Sequence, residues 1–251
     1  MEAEAIAAIE GSVDGAVIAF ARVGTLLTVM PGLGGARVSM RSRLALGIAL
    51  AVATAPLVPP TAMPDEAFGL AALLVSEMAI GLTLGLLVRV HYAALRFAAS
   101  GVAAAIGFQP LGGVALDGME PDGPLAAFAG MGALMLMFAA DLHHLVLRGI
   151  VGTYALRPPG TSIEPRAALA GLADALVAAY GVAHSLAAPF LVYGLVVQAV
   201  LGLLNKLAPA VPLYFVGLPL MIGGGLVLLA LAAPEMLAVH AAALARTIGA
   251  S

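Results

Sequence analysis

Five stretches of this chain contain no Asp, Glu, Lys or Arg: residues 44–64, 97–116, 123–140, 175–205 and 207–234. An apolar run of about 18 residues or more is long enough to cross a bilayer as a helix. A water-soluble fold cannot bury five such runs and still present a charged surface. Composition agrees, with 62% hydrophobic and 10% charged residues, against roughly 45–50% and about 25% in soluble domains. Water is therefore not the main solvent of this chain. A net charge of -3 supplies no basic patch, which argues against nucleic acid as a partner.

The runs are rich in Ala and Leu, lack period-2 alternation, and exceed the roughly 10-residue strands of outer-membrane barrels. They read as helices. Punctuation at Pro31-Gly32, Pro56 with Pro59-Pro60, Gly112-Gly113 with Pro121 and Pro124, Pro158-Pro159-Gly160, and Pro209 with Pro212 separates them. The expectation is an all-α polytopic membrane protein of helical hairpins forming one membrane domain, 1–251. Its helices fall near 13–30, 44–59, 67–90, 92–107, 123–147, 167–204 and 211–237. Residues 175–205 would be about 46 Å long as one helix, against a hydrocarbon core of about 30 Å. That segment must bend near Pro189, fold as a hairpin, or continue past the bilayer within a larger assembly.

Charged residues at the boundaries alternate in sign. Arg37, Arg41 and Arg43 follow the first helix, Asp65 and Glu66 the second, Arg89 and Arg96 the third, and Asp117, Glu120 and Asp122 the fourth. By the positive-inside rule the N-terminus lies outside and the basic loops lie in the cytoplasm. Glu2, Glu4 and Glu10 with no accompanying Lys or Arg are unlike a signal-peptide n-region, so no cleaved signal is expected. Tryptophan is absent, which leaves the chain without an interfacial Trp belt.

Two charges fall inside apolar segments. Arg22 and Glu77 would each cost about 2.5–3.5 kcal/mol at the centre of a span, so both must face a protein interior or a wet cavity. A packing role is favoured for each, paired within the chain or with another subunit; a proton-relay carboxylate is the alternative for Glu77. Gly81 and Gly85 form a GxxxG that reads as tight helix packing rather than a dedicated dimer face. Gly107-Phe108-Gln109-Pro110-Leu111-Gly112-Gly113 cannot continue a helix. It is either a plain turn or a constriction, since irregular backbone at membrane depth persists only inside protein or along a cavity.

Catalysis finds no support. Cysteine is absent, which removes disulfides, thiolate metal sites and thiol nucleophiles. Ser76 beside Glu77 and Ser185 beside His184 have no triad spacing, and Gly223-Gly224-Gly225 lacks the Lys-Ser/Thr of a phosphate-binding loop. His143 and His144 follow Asp141, but adjacent helical residues point about 100° apart, so structural histidines are expected rather than a metal site. No cofactor is implied.

The order of these features resembles the FliR family of flagellar type III export-gate proteins and its injectisome counterparts, the SctT family. One block holds Ala21-Arg22-Val23-Gly24, Met30-Pro31-Gly32-Leu33-Gly34, Arg43-Leu44-Ala45-Leu46 and Ala55-Pro56. A second holds the Glu77, Gly81, Gly85 helix with Arg89, Ala94 and Gly107-Phe108. A third joins His143-His144-Leu145 to Pro158-Pro159-Gly160. The last is Ala208-Pro209 with Phe215-Val216-Gly217-Leu218-Pro219-Leu220. Ala210, Pro212 and Met221 stand where the family usually has polar residues, so polar contacts there are not carried over.

The resemblance implies a non-enzymatic core subunit of the export gate in the bacterial inner (cytoplasmic) membrane, at the flagellar basal body. FliP-like and FliQ-like subunits would complete its pore, with FlhB-like and FlhA-like export components serving it and unfolded flagellar proteins passing through. The loop 107–113 would help to close that pore. The injectisome counterpart shares the same physics. A small-solute secondary transporter, with Glu77 as its proton-coupled carboxylate, is a rival from another class, but no inverted repeat is visible to support it.

Overall fold

The computed structural model describes residues 2–35, 38–108, 123–161, 164–208 and 213–249. Among the described residues seven α-helices follow one another: α1 (Glu2–Val29), α2 (Met40–Thr54), α3 (Ala67–Ala105), α4 (Pro124–Ala139), α5 (Leu142–Leu156), α6 (Pro165–Leu207) and α7 (Leu213–Gly249). Among the described residues there is no strand. Five helices are long and apolar enough to cross a membrane, and α4 with α5 counts as a sixth if the bent pair is one span. The chain is an all-α polytopic membrane protein.

The ends of the helices follow from local chemistry. α1 stops at Met30-Pro31, where Gly32 takes φ +81° and the Gly34 N–H donates to Met30 O at 2.7 Å. Arg43, in the first turn of α2, reaches back with Nε to Leu33 O at 2.9 Å and with Nη2 to Gly35 O at 2.8 Å. Ser39 caps α2 by accepting the Ser42 N–H at 3.1 Å, one of the four donors that a helix start leaves unpaired. Pro56 turns the end of α2 into a single 3-10 turn, Ala55–Leu57. Pro124 and Pro165 each open a helix, where a missing N–H costs nothing.

Several element bounds differ from those read off the sequence. The segments 67–90 and 92–107 are one helix, because no Gly or Pro stands near Val90-His91 and a charge does not break a helix. His91 and Arg96 are buried rather than displayed in a loop. The sign alternation behind the expected orientation therefore holds only as far as Glu66. Segment 123–147 is instead two helices, separated where Asp141 adopts a left-handed conformation, φ +55°, which Asp tolerates better than most residues. Residues 165–207 form one helix through Pro189 and not a hairpin. α7 continues to Gly249 with Pro219 and Pro234 inside it.

The chain has two compact units. The first comprises Met1–Val90, Ala140–Leu176 and Leu244–Ser251, and the second comprises His91–Ala139 and Val177–Ala243. In the first, Ile18, Ala19, Ala51, Val58, Leu73 and Tyr154 form an apolar core. In the second, Val102, Ile106, Leu125, Ala187 and Phe190 do so, with Phe108 packed against them.

Close backbone approach supports the first unit. A Cβ added at Gly81 would collide with the Arg22 carbonyl and the Thr25 hydroxyl of α1, and one at Gly85 would sit 3.1 Å from Leu26 O. The GxxxG of α3 thus lies on α1 of the same chain. Lipid tails give apolar helices no reason to associate, so small residues that permit such contact supply the packing. Gly81→Ala is expected to cost about 1–3 kcal/mol by overpacking, seen as a lower melting temperature in detergent. Gly171→Ala, at a position with nothing within 4 Å, should leave the melting temperature unchanged or raise it.

Candidate functional site: a buried arginine network and a capped Gly-Phe turn

Arg22 lies on the face of α1 that also carries Ile18, Val23 and Leu26, and its side chain is fully buried. Glu77 of α3, equally buried, accepts the Arg22 Nε–H at 2.8 Å through Oε2. Arg22 Nη1 donates to the Thr153 hydroxyl of α5 at 2.7 Å. That hydroxyl can accept because its own proton goes to Ile150 O at 2.5 Å. Nη2 donates to the Arg157 carbonyl at 3.3 Å. The guanidinium carbon stands 3.8 Å from the centre of the Tyr154 ring, a cation–π contact strengthened by desolvation.

The second oxygen of Glu77 is also engaged. Pro158-Pro159-Gly160-Thr161 forms a turn in which the Thr161 N–H donates to Pro158 O at 3.1 Å and Gly160 takes φ +80°. Pro in its second position and Gly at positive φ in its third are the requirements of a type II turn. The turn aims the Gly160 N–H at Glu77 Oε1, 3.3 Å away. One buried ion pair thereby joins α1, α3, α5 and the connection to α6. Sequence reading placed Arg22 and Glu77 in the interior but left their partners open, and it missed Thr153, Tyr154 and the Arg157 carbonyl. A hydroxyl and a ring inside an apolar helix carry no signal of their own.

In the second unit, α3 ends in a Schellman motif. The Gly107 N–H donates to Ala104 O at 3.2 Å, the Phe108 N–H donates to Ala103 O at 2.8 Å, and Gly107 has φ +73°. These are the paired backbone bonds that close a helix through a left-handed glycine. A Cβ at Gly107 would approach Leu218 Cδ1 to 3.2 Å and Met221 Cε to 3.4 Å, so strain and crowding both select glycine. Gln109, Pro110, Leu111, Gly112 and Gly113 lie outside the described residues.

Among the other sequence candidates, Pro31 occupies the buried turn after α1. His143 and His144 stand at the start of α5 with ring centres 4.1 Å apart, and His144 Nδ1 lies 3.2 Å from Asp141 Oδ1. Ligand atoms of Asp141, His143 and His144 all lie within 4.8 Å of one another. Gly217 faces Leu201 of α6, where a Cβ would come within 2.6 Å of its side chain. Pro219 lies inside α7, and Pro209 is outside the described residues.

Removing one partner of a buried ion pair leaves an uncompensated charge, at about 3–5 kcal/mol, whereas an apolar replacement of both is close to neutral or stabilising. Glu77→Leu is therefore expected to lower the detergent melting temperature sharply, and Arg22→Met with Glu77→Leu to recover most of the loss. A double variant as unstable as the single one would contradict this.

The family described as bacterial export proteins, family 1, matches residues 14–247. The flagellar biosynthetic protein FliR of Caulobacter vibrioides is 32% identical over 86% of this chain and 87% of its own length. FliR of Escherichia coli K12 is 30% identical over 85% and 82%, and FliR of Bacillus subtilis 168 is 27% identical over 85% and 83%. With a family match along nearly its whole length and a buried framework built from the blocks that first suggested it, this chain belongs to the FliR family of bacterial flagellar export proteins.

Proposed function

We propose that this component of the flagellar export apparatus is a non-enzymatic core subunit of the type III export gate in the bacterial inner membrane. FliP-like and FliQ-like subunits complete the pore, FlhB-like and FlhA-like components serve it, and unfolded flagellar proteins pass through it. The observation that carries this reading is the family match over residues 14–247. Helix length supports it. α3, α6 and α7 have 39, 43 and 37 residues, or about 58, 64 and 55 Å at about 1.5 Å per residue. A hydrocarbon core of about 30 Å cannot cover them. Their exposed apolar residues, such as Val177, Leu195, Leu207 and Leu231, need protein neighbours.

A transporter role for Glu77 loses ground on geometry. Both carboxylate oxygens are held, one by Arg22 and one by the Gly160 amide, which makes Glu77 part of the framework of the first unit. The relatives carry flagellar names, which favours the flagellar system over the injectisome. In this reading the segment after the Gly107 cap helps to close the pore, and the cap sets the direction in which that segment leaves α3.

Deletion of the gene is expected to abolish flagellar assembly and leave growth intact; normally flagellated cells would overturn the proposal, and loss of effector secretion with motility retained would assign the chain to an injectisome. Mild detergent purification should bring two small hydrophobic subunits with the chain, whereas a lone monomer would favour the transporter. Removing Phe108 through Leu111 should make the assembled gate leak ions, and unchanged leak would make the segment an ordinary turn. Because the chain has no cysteine, a single Cys at Arg41 can be labelled without background. It should react from the cytoplasmic side.

A further inference from the structure

We propose that Asp141, His143 and His144, at the start of α5, bind a divalent late transition-metal cation such as zinc. One carboxylate oxygen and one nitrogen from each imidazole all lie within 4.8 Å of one another. The pair His144 Nδ1 and Asp141 Oδ1 is 3.2 Å apart, close to the roughly 3.3 Å that separates two ligands of a tetrahedral zinc with bonds of about 2.0–2.1 Å. A hydrogen bond accounts for that pair alone. Convergence of a His143 nitrogen on the same point supplies a third ligand, and small rotations of the exposed Asp141 and His144 side chains close the remaining gap.

Two departures from ordinary helix geometry create the cluster. Adjacent helical side chains point about 100° apart, yet the His143 and His144 ring centres are 4.1 Å apart, with their planes inclined at 40°. Asp is a preferred N-cap because its carboxylate accepts an N–H of the first turn, yet Asp141, left-handed at φ 55°, makes no such bond. Its backbone carbonyl takes the His144 N–H at 3.0 Å, and the carboxylate stands beside the His144 ring. With the His144 and Asp141 side chains 58% and 77% exposed, a cation can enter from outside and keep water as a further ligand, as zinc does at sites with three protein ligands. Imidazoles with a carboxylate suit zinc, copper and nickel, whereas calcium and magnesium favour all-oxygen sets. The positive end of α5 and the exposed Arg148, one turn beyond His144, oppose a cation. The Asp141 carboxylate, inside the cluster, offsets them.

The test titrates zinc chloride calorimetrically into the full-length chain, purified without a polyhistidine tag and with the subunits that accompany it. Wild-type protein is expected to show a zinc-binding component that the double variant His143→Ala with His144→Ala lacks. His144→Ala alone should lower the affinity by roughly tenfold or more, since losing even a group that only supports a metal ligand costs about 10–100-fold. Asp141→Asn should weaken binding too, and its near-identical shape keeps the test valid if a histidine change disturbs folding. Zinc should raise the melting temperature of the wild type and not that of the double variant. With Cu(II) as the probe, electron paramagnetic resonance should count two imidazole nitrogens in the wild type and one in either single histidine variant. His184→Ala, which changes an exposed histidine of α6, should bind as the wild type does. Zinc affinity unchanged in the double variant, a copper spectrum that loses no nitrogen in the single variants, or an equal loss in His184→Ala would each overturn the proposal.

Discussion

A guanidinium with no exposure to solvent constrains everything around it. Arginine stays charged in proteins, and an unmatched ion buried at this position would cost several kcal/mol. Its surroundings answer with a carboxylate, a hydroxyl, a carbonyl and an aromatic face. Partners 55 and 131 residues away in sequence must come together to do so. The Arg-bearing helix, the Glu helix and the Pro-Pro-Gly turn, three separate motifs in the chain, are one structure around one charge.

The rest of the molecule is governed by the opposite condition, an excess of apolar surface. Within lipid that surface drives nothing by itself, and contacts form where Gly lets backbones meet. In the second unit, Gly194 against the Ala105 carbonyl follows the same rule as Gly81 in the first, and Gly225 makes room for the Ile106 side chain. Helices about twice the thickness of the hydrocarbon core leave side chains that neither this chain nor a bilayer can cover. Membership of a multi-subunit export apparatus gives that surface a purpose.

Legibility in the sequence followed the strength of the local physical signal. The interior placement of Arg22 and Glu77 was readable because a charge inside an apolar run has few options, while their pairing across 55 residues was not. Gly107-Phe108 was readable as the end of a helix, since a left-handed cap favours glycine. Arg89 and Arg96 suggest a loop in the sequence, yet α3 runs through both, because a helix crosses such residues unless Pro or Gly intervenes. Arg96 proves buried, beside Tyr92 at 5.7 Å. The break at Asp141 has neither Pro nor Gly to announce it. α6 was recognised as too long for one simple span, but only the structure shows that Pro189 leaves it a single helix.

The central claim is that the long apolar helices are covered by protein in the working assembly. The most direct measurement places single spin labels at Leu195 and Leu204 of α6, both exposed in the chain itself, and compares their collision rates with lipid-soluble oxygen in the isolated chain and in the assembled export apparatus. The account predicts accessibility that falls severalfold on assembly. Labels that stay as open to oxygen in the assembly as in the isolated chain would contradict it.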